Sequence, residues 1–247
     1  MNTLYNLKEK TAWITGGKRI GQKVAEVLAQ HGANLILSYR NSKEESEITL
    51  KKVKNFGVKA MAIQADVSSR KSTIDAVKTI QKKFKQIDVL VLMASVFEPV
   101  ELMSIKEEDL KKNFEAHVLG TFFPIQASLN LMPRGSHIIT VADRTSIGKI
   151  YSGYLPYVVT KGCVAYLTKS LAVELAPKGI FINSIAPGPV LKSDDAGNKS
   201  WDKLRKSSAI NYKITDEETV EEFAKLVLYL STARSTGSIY PLDFGHL

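Results

Sequence analysis

Short apolar runs rich in β-branched residues alternate along this chain with longer segments in which apolar residues recur at helical spacing. Most of the short runs are continuously apolar, which is typical of strands covered on both faces of a sheet. They predict seven β-strands, at Ala12–Thr15, Asn34–Ser38, Val58–Ile63, Ile87–Met93, His137–Ala142, Ile180–Ala186 and Ser238–Leu242. The alternation predicts successive βαβ units and therefore one doubly wound α/β layer with a parallel sheet.

The length and composition agree with one domain over residues 1–247, since 44% of the residues are hydrophobic and no polar linker or repeat divides the chain. No run approaches the roughly 20 apolar residues of a membrane span, and the opening MNTLYNLKEK lacks the design of a signal peptide. A cytoplasmic protein with no membrane partner is expected. Its only cysteine, Cys163, cannot form an internal disulfide, and no metal site is predicted.

The formal net charge is +9, from 34 Lys and Arg against 25 Asp and Glu. Clustered positive charge would favour a nucleic-acid partner. Here the lysines are dispersed over the polar faces of separate helical segments, as in residues 51–54, 82–85 and 111–112. We therefore predict no nucleic-acid partner, although the positive charge still favours a polyanionic ligand such as a dinucleotide phosphate.

A glycine turn, TGGKRIG at residues 15–21, joins the first predicted strand to the first helix. Glycines let the backbone approach a pyrophosphate, and the amides of the helix N-terminus supply partial positive charge. This context favours a dinucleotide site over an ordinary turn. The candidate cofactor-binding residues in it are Gly16, Lys18, Arg19, Ile20 and Gly21.

The second strand is followed by Arg40, Asn41 and Ser42, with no acidic residue to bind a ribose 2′-hydroxyl. Arg40 offers planar donors for a 2′-phosphate, and Ser42 adds a hydroxyl. These three residues therefore favour NADPH over NADH as the cofactor. The alternative is that Arg40 caps an exposed loop.

Tyr157 and Lys161 begin a long helical segment, and their spacing puts a phenol and an ammonium on one helix face. The positive charge stabilises the phenolate form of the tyrosine. Tyr157 is expected to donate a proton to a substrate oxygen or nitrogen as hydride arrives at carbon, while Lys161 binds the nicotinamide ribose. Such pairs are also common on exposed helices, and it is the glycine turn upstream that favours the catalytic interpretation.

These motifs, together with Asp66-Val67, INSIAPGPV at residues 182–190 and TGSIYPLDFG near the end, resemble the short-chain dehydrogenases/reductases over essentially the whole chain. The resemblance implies a Rossmann-type fold with a seven-stranded sheet, the catalytic pair Tyr157 and Lys161, and commonly a homotetramer. It also implies that Asp66 contacts the adenine. The further cofactor-binding candidates that it implies are Val67, Ala94, Pro187, Gly188 and Val190.

Within that family the sequence is most similar to the pteridine reductase branch, in which an aspartate replaces the usual serine after the fifth strand. Asp143, Arg19 and the ASVF segment at residues 94–97 match that branch. The resemblance implies that Asp143 joins Tyr157 in catalysis and substrate binding, that Arg19 and Ser95 approach the cofactor and the pterin, and that Phe97 stacks on the pterin. Two alternatives are open: Phe97 as a core aromatic, and Ser146 in the serine position.

The chain also departs from the family pattern. The glycine turn is one residue shorter and lacks its middle glycine, and LMAS at residues 92–95 stands where the family has Asn-Asn-Ala-Gly. His117 stands where the family commonly has an active-site asparagine. It is either a proton relay or a hydrogen-bonded interior histidine.

The irregular segment at about residues 187–213 is expected to be a substrate lid, in which Trp201 or Leu204 closes over a small-molecule substrate. Three functions are open. The first is an NADPH-dependent reductase of a pterin-like heterocycle, and the second is a carbonyl reductase of the 3-oxoacyl-[acyl-carrier-protein] reductase type, which the missing serine disfavours. The third is a non-catalytic NADPH-binding scaffold or sensor, which Tyr157 and Lys161 disfavour.

Overall fold

A seven-stranded sheet forms the centre of the molecule. The computed structural model describes residues 5–148, 150, 152–192, 201, 206, 208–210 and 214–246. The strands are β1 (Thr11–Thr15), β2 (Asn34–Tyr39), β3 (Ala60–Gln64), β4 (Val89–Leu92), β5 (His137–Val141), β6 (Phe181–Pro187) and β7 (Ile239–Leu242). All seven predicted strands are confirmed, with bounds that differ by one or two residues at some ends.

Every neighbouring pair of strands is parallel, and the order across the sheet is β3-β2-β1-β4-β5-β6-β7. The chain winds outward from β1 to β3, returns to β4 beside β1, and then winds the other way to β7. The predicted doubly wound, Rossmann-type fold is therefore confirmed. The direction in which successive strands are added reverses between β1 and β4, and this opens a crevice at the carboxyl ends of these two strands. Sheets of this kind bind ligands in such a crevice.

Helices cover both faces of the sheet. They are α1 (Ile20–Gln30), α2 (Lys43–Lys54), α3 (Arg70–Lys83), α4 (Glu107–Phe114), α5 (Gly120–Ser128), α6 (Leu155–Leu175) and α7 (Asp216–Leu230), and a π-helical turn at Glu115–Leu119 joins α4 to α5. No helix within the described ranges combines the length and hydropathy needed to cross a membrane.

Two hydrophobic cores lie on opposite faces of the sheet, because successive strand residues point to opposite sides. On one face, Ile14 of β1 packs with Val24 of α1 and Phe223 of α7. On the other, Trp13 and Ile36 pack with α3, α5 and α6. Burial on both sides explains why the strand sequences are continuously apolar.

Helix α6 carries catalytic candidates to the edge of the crevice. Its N-terminal turn contains Pro156, which suits that position because a backbone N–H is not needed there. Farther along, Thr168 of α6 forms a 2.7 Å hydroxyl contact with Thr140 of β5. This packing places the first turns of α6 beside the carboxyl end of β5.

Candidate active site

A cleft of about 970 Å³ lies at the carboxyl ends of the central strands. Of the site residues predicted from the sequence, every one except Gly21 lines it. Gly21 lies in the first turn of α1, where an added Cβ would be 2.6 Å from the carbonyl oxygen of Gly16. It therefore allows close packing of α1 against the turn rather than contact with a ligand.

Tyr157, Asp143 and Lys161 meet at the end of β5. The Tyr157 hydroxyl donates to Oδ2 of Asp143 at 2.8 Å, and the backbone N–H of Thr145 donates to Oδ1 at 2.9 Å. The Lys161 ammonium donates to the carbonyl of Val141 at 2.8 Å. Both oxygens of the carboxylate are thus bonded, and the tyrosine is directed at it.

Lys161 is a buried cation, only 4% exposed, with its Nζ 5.7 Å from the centroid of the Tyr157 ring. Burial lowers the pKa of Lys161 to about 8, and the charge of Asp143 acts in the opposite direction. The ammonium therefore loses its proton far more readily than a lysine in water.

Asp143, and not Ser146, reaches the tyrosine. The Ser146 hydroxyl donates at 2.6 Å to the backbone carbonyl of Asp143, within the 3-10 turn that follows β5. Asp143 occupies the cleft wall beside Tyr157 and is only 8% exposed. The geometry thus supports the expectation that the carboxylate takes the place of the family's serine.

An aromatic pair forms one wall of the cleft. The rings of Phe97 and Tyr154 stack with centroids 4.5 Å apart and planes 10° apart. Phe97 also makes a T-shaped contact with Tyr157, with the ring centroids 4.8 Å apart. Phe97 is 44% exposed, so the alternative that it is a core aromatic is wrong. Tyr154 was not identified from the sequence.

Arg19 spans the mouth of the cleft. Its backbone has φ 60°, a conformation that favours glycine. Its guanidinium donates to the carbonyls of Leu191, at 3.3 Å, and of Lys192. The shortened turn is therefore tied to the segment that follows β6.

The end of the cleft beside β2 is cationic. Arg40 and Lys18 line it, and the Lys18 ammonium pairs with Glu45 of α2 at 3.1 Å. A hydrogen bond from its own backbone N–H and the Lys18 cation hold the pKa of Glu45 below its usual value. Glu45 was also missed from the sequence, where an acidic residue in the first turn of a helix is ordinary.

The predicted lid lies mostly outside the described residues. Trp201 lines the cleft, whereas Leu204 and residues 193–200, 202–203, 205, 207 and 211–213 are not described. The lid therefore stays a prediction. In the described ranges, no cluster of three or more His, Cys, Asp or Glu side chains is placed to hold a metal.

Two comparisons decide the family. Residues 16–246 match the family described as Enoyl-(Acyl carrier protein) reductase. The chain is also 30% identical to the 3-oxoacyl-[acyl-carrier-protein] reductase FabG of Staphylococcus aureus over 228 aligned residues. The aligned region covers 92% of each protein. The chain belongs to the short-chain dehydrogenase/reductase family. It is therefore an NAD(P)-dependent oxidoreductase, and the non-catalytic scaffold is set aside.

Solved structures of short-chain dehydrogenases/reductases share the whole fold. The enzyme from Serratia marcescens is 30% identical to this chain and superposes with a TM-score of 0.89. The match covers 97% of this chain and 98% of that enzyme. A short chain dehydrogenase from Burkholderia cenocepacia in complex with NADP is 26% identical with a TM-score of 0.89, over 98% and 99%. The matches extend over nearly the full length of each chain.

The cleft of this short-chain dehydrogenase/reductase fits a dinucleotide. Gly16 has φ 71°, and an added Cβ would be 2.9 Å from the backbone nitrogen of Ala94. Only glycine allows the turn to lie this close to the end of β4. Asp66 also lines the cleft, and the hydroxyl of Ser68 donates to its carboxylate at 2.6 Å.

Proposed function

We propose that this protein reduces a pterin-like heterocycle with NADPH. The proposal depends on the 2.8 Å hydrogen bond from the Tyr157 hydroxyl to Asp143, where the family usually has a serine. A carboxylate is a base that can take up a proton and pass it on, whereas a serine hydroxyl only shares a hydrogen bond. Reduction of a C=N bond requires a proton at nitrogen, which suits a tyrosine joined to a proton-exchanging group.

The proposed proton path uses three side chains of this protein. NADPH, when bound, supplies the hydride that adds to the substrate carbon. Tyr157 turns its hydroxyl proton from Asp143 to the substrate nitrogen, and the phenolate that remains recovers a proton that Asp143 takes from solvent. Lys161 stabilises the phenolate and has two N–H donors beyond the one bonded to Val141, which would bind the ribose hydroxyls.

The choice of NADPH is supported by the cationic end of the cleft. Arg40, Lys18 and Ser42 would surround a 2′-phosphate, with Asn41 beside them. A 2′-phosphate would compete with Glu45 for the Lys18 ammonium, because both are anions within reach of the same cation. The relative from Burkholderia cenocepacia, solved with NADP, also supports this choice.

A flat substrate is supported by the Phe97–Tyr154 pair. One face of Phe97 is covered by Tyr154, and the ring remains 44% exposed at the cleft. An aromatic heterocycle stacked on it would gain about 0.5–1.5 kcal/mol beyond the burial of its surface. Ser95, next to this pair, would add a hydroxyl for the ring's polar edge.

Reduction of a 3-oxoacyl thioester is the second candidate function. It is favoured by the similarity to the 3-oxoacyl-[acyl-carrier-protein] reductase of Staphylococcus aureus, at 30% identity. A net charge of +9 would also attract an acidic carrier protein. Asp143 in the serine position favours the heterocycle.

Parallel assays test these functions. Oxidation of NADPH is followed with dihydrobiopterin and with acetoacetyl-CoA, using the wild type and the variants Asp143→Ser and Ser146→Ala. We expect turnover of dihydrobiopterin that is strongly reduced in Asp143→Ser and retained in Ser146→Ala, because the Ser146 hydroxyl does not reach Tyr157. Turnover of acetoacetyl-CoA alone would replace the first function by the second.

We also propose that the protein is a homotetramer. Helices α4 and α6 pack together and carry exposed apolar side chains, namely Leu110, Phe114, Val159, Tyr166 and Val173. Exposed apolar surface of this extent favours burial against another subunit. An equivalent face on a second copy would form a symmetric contact.

A further inference from the structure

His117 lies next to the cleft without lining it. It belongs to the π-helical turn Glu115–Leu119 and is only 1% exposed. Such turns occur frequently at functional sites, because they change which side chains face a neighbouring element. Here the turn directs the imidazole between the end of β4 and the first turns of α6.

The imidazole forms hydrogen bonds with the segment after β4 and with α6. On the β4 side, Nε2 is 2.9 Å from the hydroxyl of Ser95 and 3.2 Å from the backbone nitrogen of Val96. On the α6 side, Nδ1 is 2.8 Å from the hydroxyl of Thr160. The ring therefore joins two segments that are far apart in the sequence.

The hydrogen-bond partners favour one tautomer. The N–H of Val96 can only donate, so Nε2 accepts, and the proton lies on Nδ1. Thr160 then accepts from Nδ1 and donates its own proton to the Pro156 carbonyl at 2.7 Å. In the other tautomer the proton lies on Nε2, which would donate to the Val96 carbonyl at 3.1 Å. The ring would then still connect Val96 to Thr160.

We infer that His117 is a positioning residue that clamps the Ser95–Phe97 segment to helix α6. Phe97 directly follows the clamped residue Val96, and its ring makes a T-shaped contact with the ring of Tyr157 at a centroid distance of 4.8 Å. The clamp sets the distance between the substrate-stacking ring and the proton donor. The structural part of this inference is independent of the substrate, and its kinetic part rests on the proposed function.

A proton-relay role is disfavoured by the surroundings of the ring. Burial, and then the charge of Lys161, lower the pKa of His117 to about 3, so the ring is neutral across the working range of pH. Lys161 and Tyr157 are the titratable groups that face it from α6, and Tyr157 meets it edge-on at 5.4 Å. A group that stays neutral positions its neighbours and does not transfer protons through its own titration.

Two amide variants separate the sides of the clamp. In His117→Gln the amide reaches the place of Nε2 and can still bond Val96, whereas in His117→Asn it reaches only the place of Nδ1. Hydrogen exchange of the peptide covering residues 94–100 is measured by mass spectrometry. We expect exchange at Val96 to be about 3- to 10-fold faster in His117→Asn, the factor for one lost hydrogen bond, and near wild type in His117→Gln.

Kinetics then test the effect on the substrate. In His117→Asn we expect the KM for dihydrobiopterin to rise about 10-fold with little change in kcat, NADPH affinity or the pH profile. His117→Gln should restore much of the loss. If dihydrobiopterin is not turned over at all, the proposed function fails, while the exchange result still decides the clamp.

Two outcomes would overturn the inference. Equal exchange of residues 94–100 in wild type and His117→Asn would show that the loop is held by other contacts. A fall in kcat with a shifted pH profile and unchanged KM would assign proton transfer to His117. If His117→Asn does not fold, His117→Leu keeps an apolar side chain of similar size that cannot bond Val96, and faster exchange at Val96 is again expected.

Discussion

The Tyr157 hydroxyl donates to Oδ2 of Asp143 at 2.8 Å, and both side chains are only 8% exposed. The single hydroxyl proton of Tyr157 points at the carboxylate, and it must turn toward the cleft, which Tyr157 also lines, to reach a substrate. The proposed role of Tyr157 as the proton donor leads to the first prediction.

Tyr157→Phe should lower kcat by about 10²–10⁴-fold, because general acid catalysis is lost while the ring and its packing remain. NADPH affinity, measured by fluorescence titration, should change little. Tyr154→Phe is the matched control, since Tyr154 also lines the cleft and keeps its ring stack with Phe97. Full turnover in Tyr157→Phe would mean that another group is the acid.

The pH profile should follow Lys161. Because burial lowers the pKa of Lys161 to about 8, its positive charge is present below that pH and is lost above it. We therefore expect kcat/KM to decline as the pH rises through about 8. In Lys161→Arg the side chain stays positively charged above about pH 8, so kcat/KM of this variant should not decline in that range. The same decline in both proteins would assign it to a different group.

Arg40 should determine the preference for NADPH. Removing a charged hydrogen bond to a 2′-phosphate in Arg40→Ala should raise the KM for NADPH about 10- to 100-fold and leave the KM for NADH nearly unchanged. Lys43→Ala is the control, because the Lys43 side chain is 67% exposed and the residue does not line the cleft. Equal losses with both cofactors would argue against a 2′-phosphate contact.

Stability should fall in acid because of His137. This side chain is 9% exposed and stacks on Phe181, and burial, followed by the charge of Lys10, lowers its pKa from 6.5 to about 4. Between about pH 4 and 6.5 the unfolded chain binds more protons than the folded chain, so the free energy of unfolding rises with pH. The contribution of neutral His137 to stability is therefore lost as the pH falls from 6.5 to about 4.

Urea unfolding at several pH values measures this dependence. The free energy of unfolding of the wild type should decrease as the pH is lowered from about 6.5 to 4, and His137→Gln should show a shallower decrease. The variant keeps a polar side chain but cannot be protonated. An identical slope in the two proteins would exclude His137 as a cause.

The proposed subunit contact predicts the effect of a charge on α6. Tyr166 is 74% exposed on the apolar face, so Tyr166→Glu should shift the mass measured by light scattering to a smaller assembly. Ile48→Glu, on α2 at 52% exposure, is the control and should leave the mass unchanged. A monomeric wild type would contradict the homotetramer.

Local sequence determined most of the fold. The strands follow from continuous apolar runs, and the helical faces follow from spacing, because these patterns depend on neighbours along the chain. The same reasoning puts Tyr157 and Lys161 on one face of α6, and it places Gly16 at the turn where β1 meets α1. The parallel sheet and its doubly wound class required only the alternation of strands with helices, whereas the strand order comes from the structure.

Contacts between distant segments required the tertiary structure. Only the path of the turn after β5 brings Asp143, and not Ser146, to Tyr157, because one residue of loop length changes which side chain faces the cleft. The pairing of Phe97 with Tyr154, of Lys18 with Glu45, and of His117 with Val96 and Thr160 likewise joins residues whose separation in the sequence carries no signal. Each depends on where loops place side chains, and periodicity does not constrain loop paths.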